Sequence, residues 1–229
     1  MKHVLIYGDS NSWGYLDDGS GLRYAKRWPK VMARKLADHH NQPIALIEEA
    51  LPGRTTAYPD PQEGPEYNGL PYLKPALLSH APLDLVMIML GTNDCKVRFG
   101  ASADEITNNM ITLAKIVRRS PTGPGKWRDA PAPQVMIIAP PALGTRADDP
   151  HWIRYDEWEG GRDKSLQFGA LISAKLSAHP DHGFCFFDAG QIITSSDKDP
   201  IHWSASTHEM MGNAIADKVA DIMADIKAD

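Results

Sequence analysis

Short, nearly continuous apolar runs alternate along this chain with stretches whose apolar residues recur at helical spacing. The runs occupy residues 4–7, 44–47, 85–90, 135–139 and 184–187, and each gives way to polar or turn-forming residues. Continuous rather than alternating apolar runs suit parallel strands covered on both faces. Between them, the segment 27–37 sets Trp28, Val31, Met32 and Leu36 on one face. The segment 70–78 is shorter and carries Pro75, and 103–117 aligns Ile106, Met110, Leu113, Ala114 and Val117. Segments 165–176 and 207–226 complete the helical set. Ser102 with Glu105 and Ser206 with Glu209 have capping-box spacing and predict helix starts. Strands alternating with helices predict a parallel sheet with helices on both sides. The chain shows no internal repeat or low-complexity linker, so one domain is expected over residues 1–229. Two long loops, 52–69 and 140–161, interrupt this regularity, and the second carries Trp152, Tyr155 and Trp158. Loops of that length in a compact domain are usually functional or partly mobile; for the three aromatics, a cover over a site, a subunit contact and a small satellite core are all open readings.

Composition narrows the class without naming a function. At 229 residues the chain is long enough for a full core, and 42% hydrophobic with 23% charged residues is ordinary for a globular protein. The net charge of −5 lacks the basic surplus expected of a nucleic-acid partner. No stretch approaches the roughly 18 apolar residues of a membrane span, and the start of the chain leads straight into the first strand with no signal-like segment. Cys95 and Cys185 are expected as reduced thiols, which with the absent signal predicts a cytoplasmic protein.

The chemistry concentrates at the ends of the predicted strands. Ser10 stands directly past the first run, in Gly8-Asp9-Ser10-Asn11-Ser12-Trp13-Gly14. The carboxyl ends of strands in open α/β sheets are where ligands bind, and a serine in a tight turn there is a candidate nucleophile. Near the other end, Asp199-Pro200-Ile201-His202 has the spacing of an orienting acid and a base within one turn. A chance pairing is a real alternative in a chain with nine histidines. Asn93, in Gly91-Thr92-Asn93-Asp94 after the third run, offers a side-chain amide. Gly53 follows the second run and offers an unobstructed backbone N–H. Taken singly, the last two read equally well as turn residues. Together they put a nucleophile, a base, an orienter and two donors on one rim of the sheet.

In that order, Gly8-Asp9-Ser10-Asn11-Ser12, Gly53, Gly91-Thr92-Asn93-Asp94 and Asp199-Pro200-Ile201-His202 resemble the four sequence blocks of the SGNH (GDSL-type) hydrolases. Trp13-Gly14, the stretch 48–56 and the stretch 83–96 are similar to the bacterial aryl esterase/acyltransferase branch. The resemblance implies a flavodoxin-like, three-layer α/β/α sandwich with a five-stranded parallel sheet. It implies Ser10 as nucleophile, His202 as general base and Asp199 as its orienter. The oxyanion hole would be made by the Ser10 and Gly53 N–H groups and the Asn93 amide. It further implies an acyl-enzyme, hydrolysis of short-chain or aryl esters, acyl transfer to alcohols, a homo-oligomer, and neither cofactor nor metal. Asn11 departs from the Leu or Ile common in the family, and with Trp13 it is the expected substrate contact. Carbohydrate O-deacetylation and thioester hydrolysis use the same residues and remain open. Two remoter alternatives are a magnesium-dependent phosphatase built on the strand-end Asp9 and a non-catalytic binding module. Asp94, Arg54 and His208 lie near the motifs without an assigned role, and His208 is expected on the outer face of the last helix.

Overall fold

The computed structural model describes residues 1–226. In chain order its regular elements are β1 (Lys2–Gly8), α1 (Ser10–Trp13), α2 (Trp28–His40), β2 (Ile44–Ala50), α3 (Gly69–His80), β3 (Leu85–Met89) and α4 (Ala103–Arg118). There follow β4 (Gln134–Ala139), α5 (Tyr155–Trp158), α6 (Gly161–Ser165), α7 (Phe168–Ala178), β5 (Cys185–Asp188) and α8 (Ala205–Asp225). The sheet has five strands, all parallel, in the order β2-β1-β3-β4-β5. That is the doubly wound, flavodoxin-like order, and its direction of winding reverses at β1 and β3.

Alternate residues of each strand feed opposite faces, and the central strands β1, β3 and β4 are buried on both, while the edge strands β2 and β5 are half-buried. Val4, Ile6, Met87, Met136 and Ile138 pack with α2 and α8, through Trp28, Met32, Met211 and Ile215. Leu5, Tyr7, Val86, Ile88 and Ile137 pack on the other side with α3, α4 and α7, through Leu73, Leu77, Ile106, Met110 and Phe168. Burial on both faces is why the strand runs are almost free of polar residues.

Ser102 and Glu105 form the full capping box at the start of α4. The last helix differs from expectation at its start. Its cap is Ser204, whose Oγ accepts from the Thr207 N–H at 3.2 Å, and Ser206 lies inside the first turn. The expectation for His208 is also overturned. Its ring is fully buried on α8 between Tyr24 and Trp203, with centroids 5.2 and 5.3 Å away, and its Nδ1 accepts from the Trp28 N–H at 3.4 Å.

Burial pushes the His208 imidazole down to about 3 from its ordinary 6.5, so it stays neutral in the folded protein far into acid. The unfolded chain binds that proton from about pH 6.5 downward, so stability contributed by neutral His208 is lost as pH falls from 6.5 toward 3. In His208→Leu this loss disappears, and the fall in unfolding free energy between pH 6.5 and 4.5 becomes shallower by up to about 1.4 kcal/mol per pH unit. Urea unfolding of both proteins at several pH values reads the difference. Asp9 and Asp94 titrate with the opposite sign, as described below, and cancel in that comparison.

Candidate active site

Ser10 is positioned by the turn that closes β1. The Asp9 side chain caps α1 by accepting from the Asn11 N–H at 3.0 Å. The Trp13 and Gly14 N–H groups bond back to the carbonyls of Asp9 and Ser10, each at 2.8 Å. This folds α1 directly over the strand end. A Cβ on Gly8 would lie 2.2 Å from the Ser12 Oγ, so only glycine fits there.

The two ends of the chain meet at this turn. The Ser10 Oγ lies 3.1 Å from His202 Nε2, and His202 Nδ1 lies 2.6 Å from Asp199 Oδ2. The other Asp199 oxygen accepts from the Ile201 N–H at 2.8 Å and the His202 N–H at 3.3 Å. Burial pushes the Asp199 carboxyl up, but the His202 hydrogen bond, the imidazole charge and these two N–H groups outweigh it and hold it below the usual carboxylate value. The Tyr15 ring stacks on the imidazole at 4.5 Å between centroids, with 24° between planes.

Gly53 and Asn93 reach the same place from β2 and β3. Gly53 has φ +90°, a left-handed conformation that favours glycine. Asn93 sits in a turn, Asn93–Cys95, and is buried, with its Nδ2 donating to the Arg54 carbonyl at 3.1 Å. An amide nitrogen carries a second hydrogen, which this bond leaves available. Ser10, Gly53, Asn93 and His202 line one cleft of about 330 Å³. Two larger hollows, of about 550 and 600 Å³, contain none of these residues. Volume alone therefore does not locate the chemistry.

Behind the cleft, buried polar residues lock the loops together. The Arg54 guanidinium donates to the Gly8 carbonyl at 3.2 Å and to the Glu49 carbonyl, and it lies 4.2 Å from the Tyr7 ring centroid. The Asp94 carboxylate accepts from the Thr56 N–H at 2.9 Å and from the Thr56 hydroxyl. Burial is the main cause that raises Asp94 to about 6 and Asp9 to about 7, and the Asp94 charge adds to the rise at Asp9. These groups take up protons more readily folded than unfolded, so their contribution to stability falls as pH rises from about 4 through those values.

The two expected substrate contacts are placed elsewhere. Asn11 is buried, and its Nδ2 donates to the Ile201 carbonyl at 3.1 Å. It is a strut between the serine turn and the histidine turn, because a polar side chain there satisfies a carbonyl that Leu or Ile would leave unpaired. Trp13 is half-buried outside the cleft lining, 6.2 Å from the Tyr15 ring and beneath the Arg23 guanidinium. The first loop instead contributes Tyr15 to the cleft, and the remaining wall is made by Pro52, Glu63, Tyr67, Lys96, Arg154, Trp158 and Ile201. Of the three aromatics in the long loop, Trp152 and Trp158 are buried in the main core, Tyr155 packs against it, and Trp158 also faces the cleft.

The chain belongs to the GDSL-like lipase/acylhydrolase family, whose model matches residues 6–210. It is an SGNH hydrolase by sequence family and by fold, and a carboxylic ester hydrolase. It is similar to Est24, a carbohydrate acetylesterase from Sinorhizobium meliloti, with 39% identity, TM-score 0.85, and coverage of 97% of this chain and 100% of that one. It is also similar to the aryl esterase of M. smegmatis, with 36% identity, TM-score 0.85 and the same coverage. A second carbohydrate acetylesterase family member from Sinorhizobium meliloti is 31% identical, with TM-score 0.84 and coverage of 98% and 100%. A comparison with curated proteins gave no match. Among the described residues, no helix is long and apolar enough to cross a membrane.

Proposed function

We propose that this protein hydrolyses short-chain or aryl carboxylic esters through an acyl-enzyme on Ser10, and that alcohols compete with water for the acyl group. The observation that carries this reading is the unbroken chain Ser10 Oγ, His202 Nε2, His202 Nδ1, Asp199 Oδ2 opening into a cleft with Gly53 and Asn93. Neutral His202 takes the Ser10 proton as Oγ attacks the ester carbonyl. Asp199 keeps the imidazole in the tautomer that accepts at Nε2 and stabilises the imidazolium. The Ser10 and Gly53 N–H groups and the Asn93 amide receive the negative charge on the carbonyl oxygen. His202 then gives its proton to the departing alcohol, and the cycle repeats with water, or a second alcohol, attacking the acyl-enzyme.

The cleft volume, about 330 Å³, is at the low end of ligand pockets. With Tyr15, Tyr67 and Trp158 in its wall, it suits a short acyl group and a flat alcohol half. The similarity to Est24, a carbohydrate acetylesterase, supports a sugar O-acetyl ester as the second reading. A series of p-nitrophenyl esters from acetate to octanoate, with and without added alcohol, tests the proposal. Rates are expected to fall steeply beyond the shortest chains, with a new ester formed when alcohol is present. Equal rates across the series, or acid as the sole product in concentrated alcohol, would refute the corresponding half of it. An acetylated sugar turned over faster than p-nitrophenyl acetate would favour the second reading.

A further inference from the structure

Lys96 is nearly fully buried, at 5% exposure, yet it lines the cleft that holds Ser10. It comes from the same short turn as Asn93, and its own N–H bonds to the Asn93 carbonyl at 3.2 Å. Its ammonium lies 5.4 Å from the centroid of Trp158, another cleft residue. Among the described residues the one carboxylate within ion-pair distance is Glu157, at 3.6 Å, too far for a hydrogen bond. That carboxylate is already occupied. One oxygen accepts from Arg98 at 2.9 Å, and the other accepts from Arg154 at 3.0 and 2.8 Å. Arg98 is held in addition by Asp60 at 2.6 Å.

Around Lys96 the cations Arg98 and Arg154 face the anions Glu157 and Asp60, and the buried Asp94 acts on Lys96 from behind the cleft, yet none of these carboxylates accepts a hydrogen bond from the Lys96 ammonium. Glu63 also lines the cleft, but it is solvent-exposed, where its field is screened. An ammonium carries three donors, and partly desolvating one that meets no protein acceptor is costly unless a group in the cleft supplies the acceptor. Burial, with the Arg98 charge, lowers the Lys96 ammonium below its ordinary value, consistent with that cost.

Building on the esterase reading, we infer that Lys96 is a specificity-determining residue that receives an anionic oxygen of the substrate, so the preferred esters carry a carboxylate on one half. The fixed Arg98–Asp60 and Arg98–Glu157 pairs hold the wall in shape, Arg154 is tied to Glu157 by two hydrogen bonds, and Lys96 is the cation of the cluster that donates no hydrogen bond to a carboxylate.

Matched substrate pairs test this. On the alcohol side, 4-acetoxybenzoate is compared with methyl 4-acetoxybenzoate. On the acyl side, mono-4-nitrophenyl glutarate is compared with 4-nitrophenyl pentanoate, with spontaneous hydrolysis subtracted. The ratio of kcat/KM, charged over neutral, is taken for the wild type and for Lys96→Met, so that intrinsic reactivity cancels. Loss of a charge-assisted hydrogen bond is expected to lower that ratio about tenfold or more in one pair, and Lys96→Arg should restore part of it. The pair that responds identifies the half that carries the charge. Unchanged ratios in both pairs would overturn the inference while leaving the esterase reading intact. Failure of the wild type to hydrolyse any of the four esters would instead strike at that reading. Should Lys96→Met fail to fold, inhibition of the wild type decides. Benzoate is expected to compete at several-fold lower concentration than benzamide, and equal potency would refute the assignment.

Discussion

Ser10→Ala is expected to lower kcat for ester hydrolysis by about 10⁶-fold, the loss seen when the nucleophile of a comparable triad is removed. The fold should be untouched. The hydroxyl's hydrogen-bond partner is His202 Nε2 at 3.1 Å, which opens onto the cleft and regains a partner from water once Oγ is gone. Alanine also suits the first position of α1, whose cap is the Asp9 side chain rather than the serine. Native circular dichroism, a thermal midpoint within a few degrees of wild type and loss of labelling by an organophosphonate are therefore expected together. A folded variant retaining more than about a tenth of wild-type activity would show that the acyl group is carried elsewhere, or that water attacks directly.

Much of this architecture was legible because local and global demands agree. Parallel strands buried on both faces need unbroken apolar runs, and the runs at 85–90 and 135–139 match β3 and β4 to within a residue or two. The end of β2 was not legible. The strand continues through Glu48 and Glu49 to Ala50, in register with Gly8, because Arg27 binds Glu48 with two hydrogen bonds at 2.5 and 2.7 Å and His80 meets Glu49 at 2.7 Å. Charges that look like the close of a strand are here satisfied by distant partners. A similar contrast runs through the cleft. Asp199 and His202 lie within one turn, so their pairing follows from spacing. Tyr15, Lys96, Arg154 and Trp158 come together through loop packing, which leaves no periodic trace. His208 did leave one. With Met211, Gly212, Ile215, Ala216 and Val219 it falls on the helical spacing of the buried face of α8, and that spacing outweighs the polarity of an imidazole. Asn11 was readable only as a departure from its family's pattern, and the structure supplies the cause in the carbonyl of Ile201.

Asp199→Asn separates the chemistry of the acid from its structural work, and is expected to lower kcat about 10⁴-fold. The carboxylate performs two tasks with two oxygens. Oδ1 accepts from the Ile201 and His202 N–H groups, and Oδ2 faces His202 Nδ1 at 2.6 Å. An asparagine of the same shape keeps the first task through its carbonyl oxygen, so the turn survives. It fails the second, because its NH₂ group presents hydrogens to Nδ1 and favours the tautomer with the proton on Nε2. That nitrogen then cannot accept from Ser10, and no base remains at 3.1 Å from the hydroxyl. Asp199→Ala loses both tasks, so it should match the asparagine variant in rate while unfolding at a lower temperature. Equal thermal stability with a rate loss of tenfold or less in Asp199→Asn would mean that the imidazole is oriented by something other than this carboxylate. The Tyr15 ring, stacked at 4.5 Å, would then be the group to test.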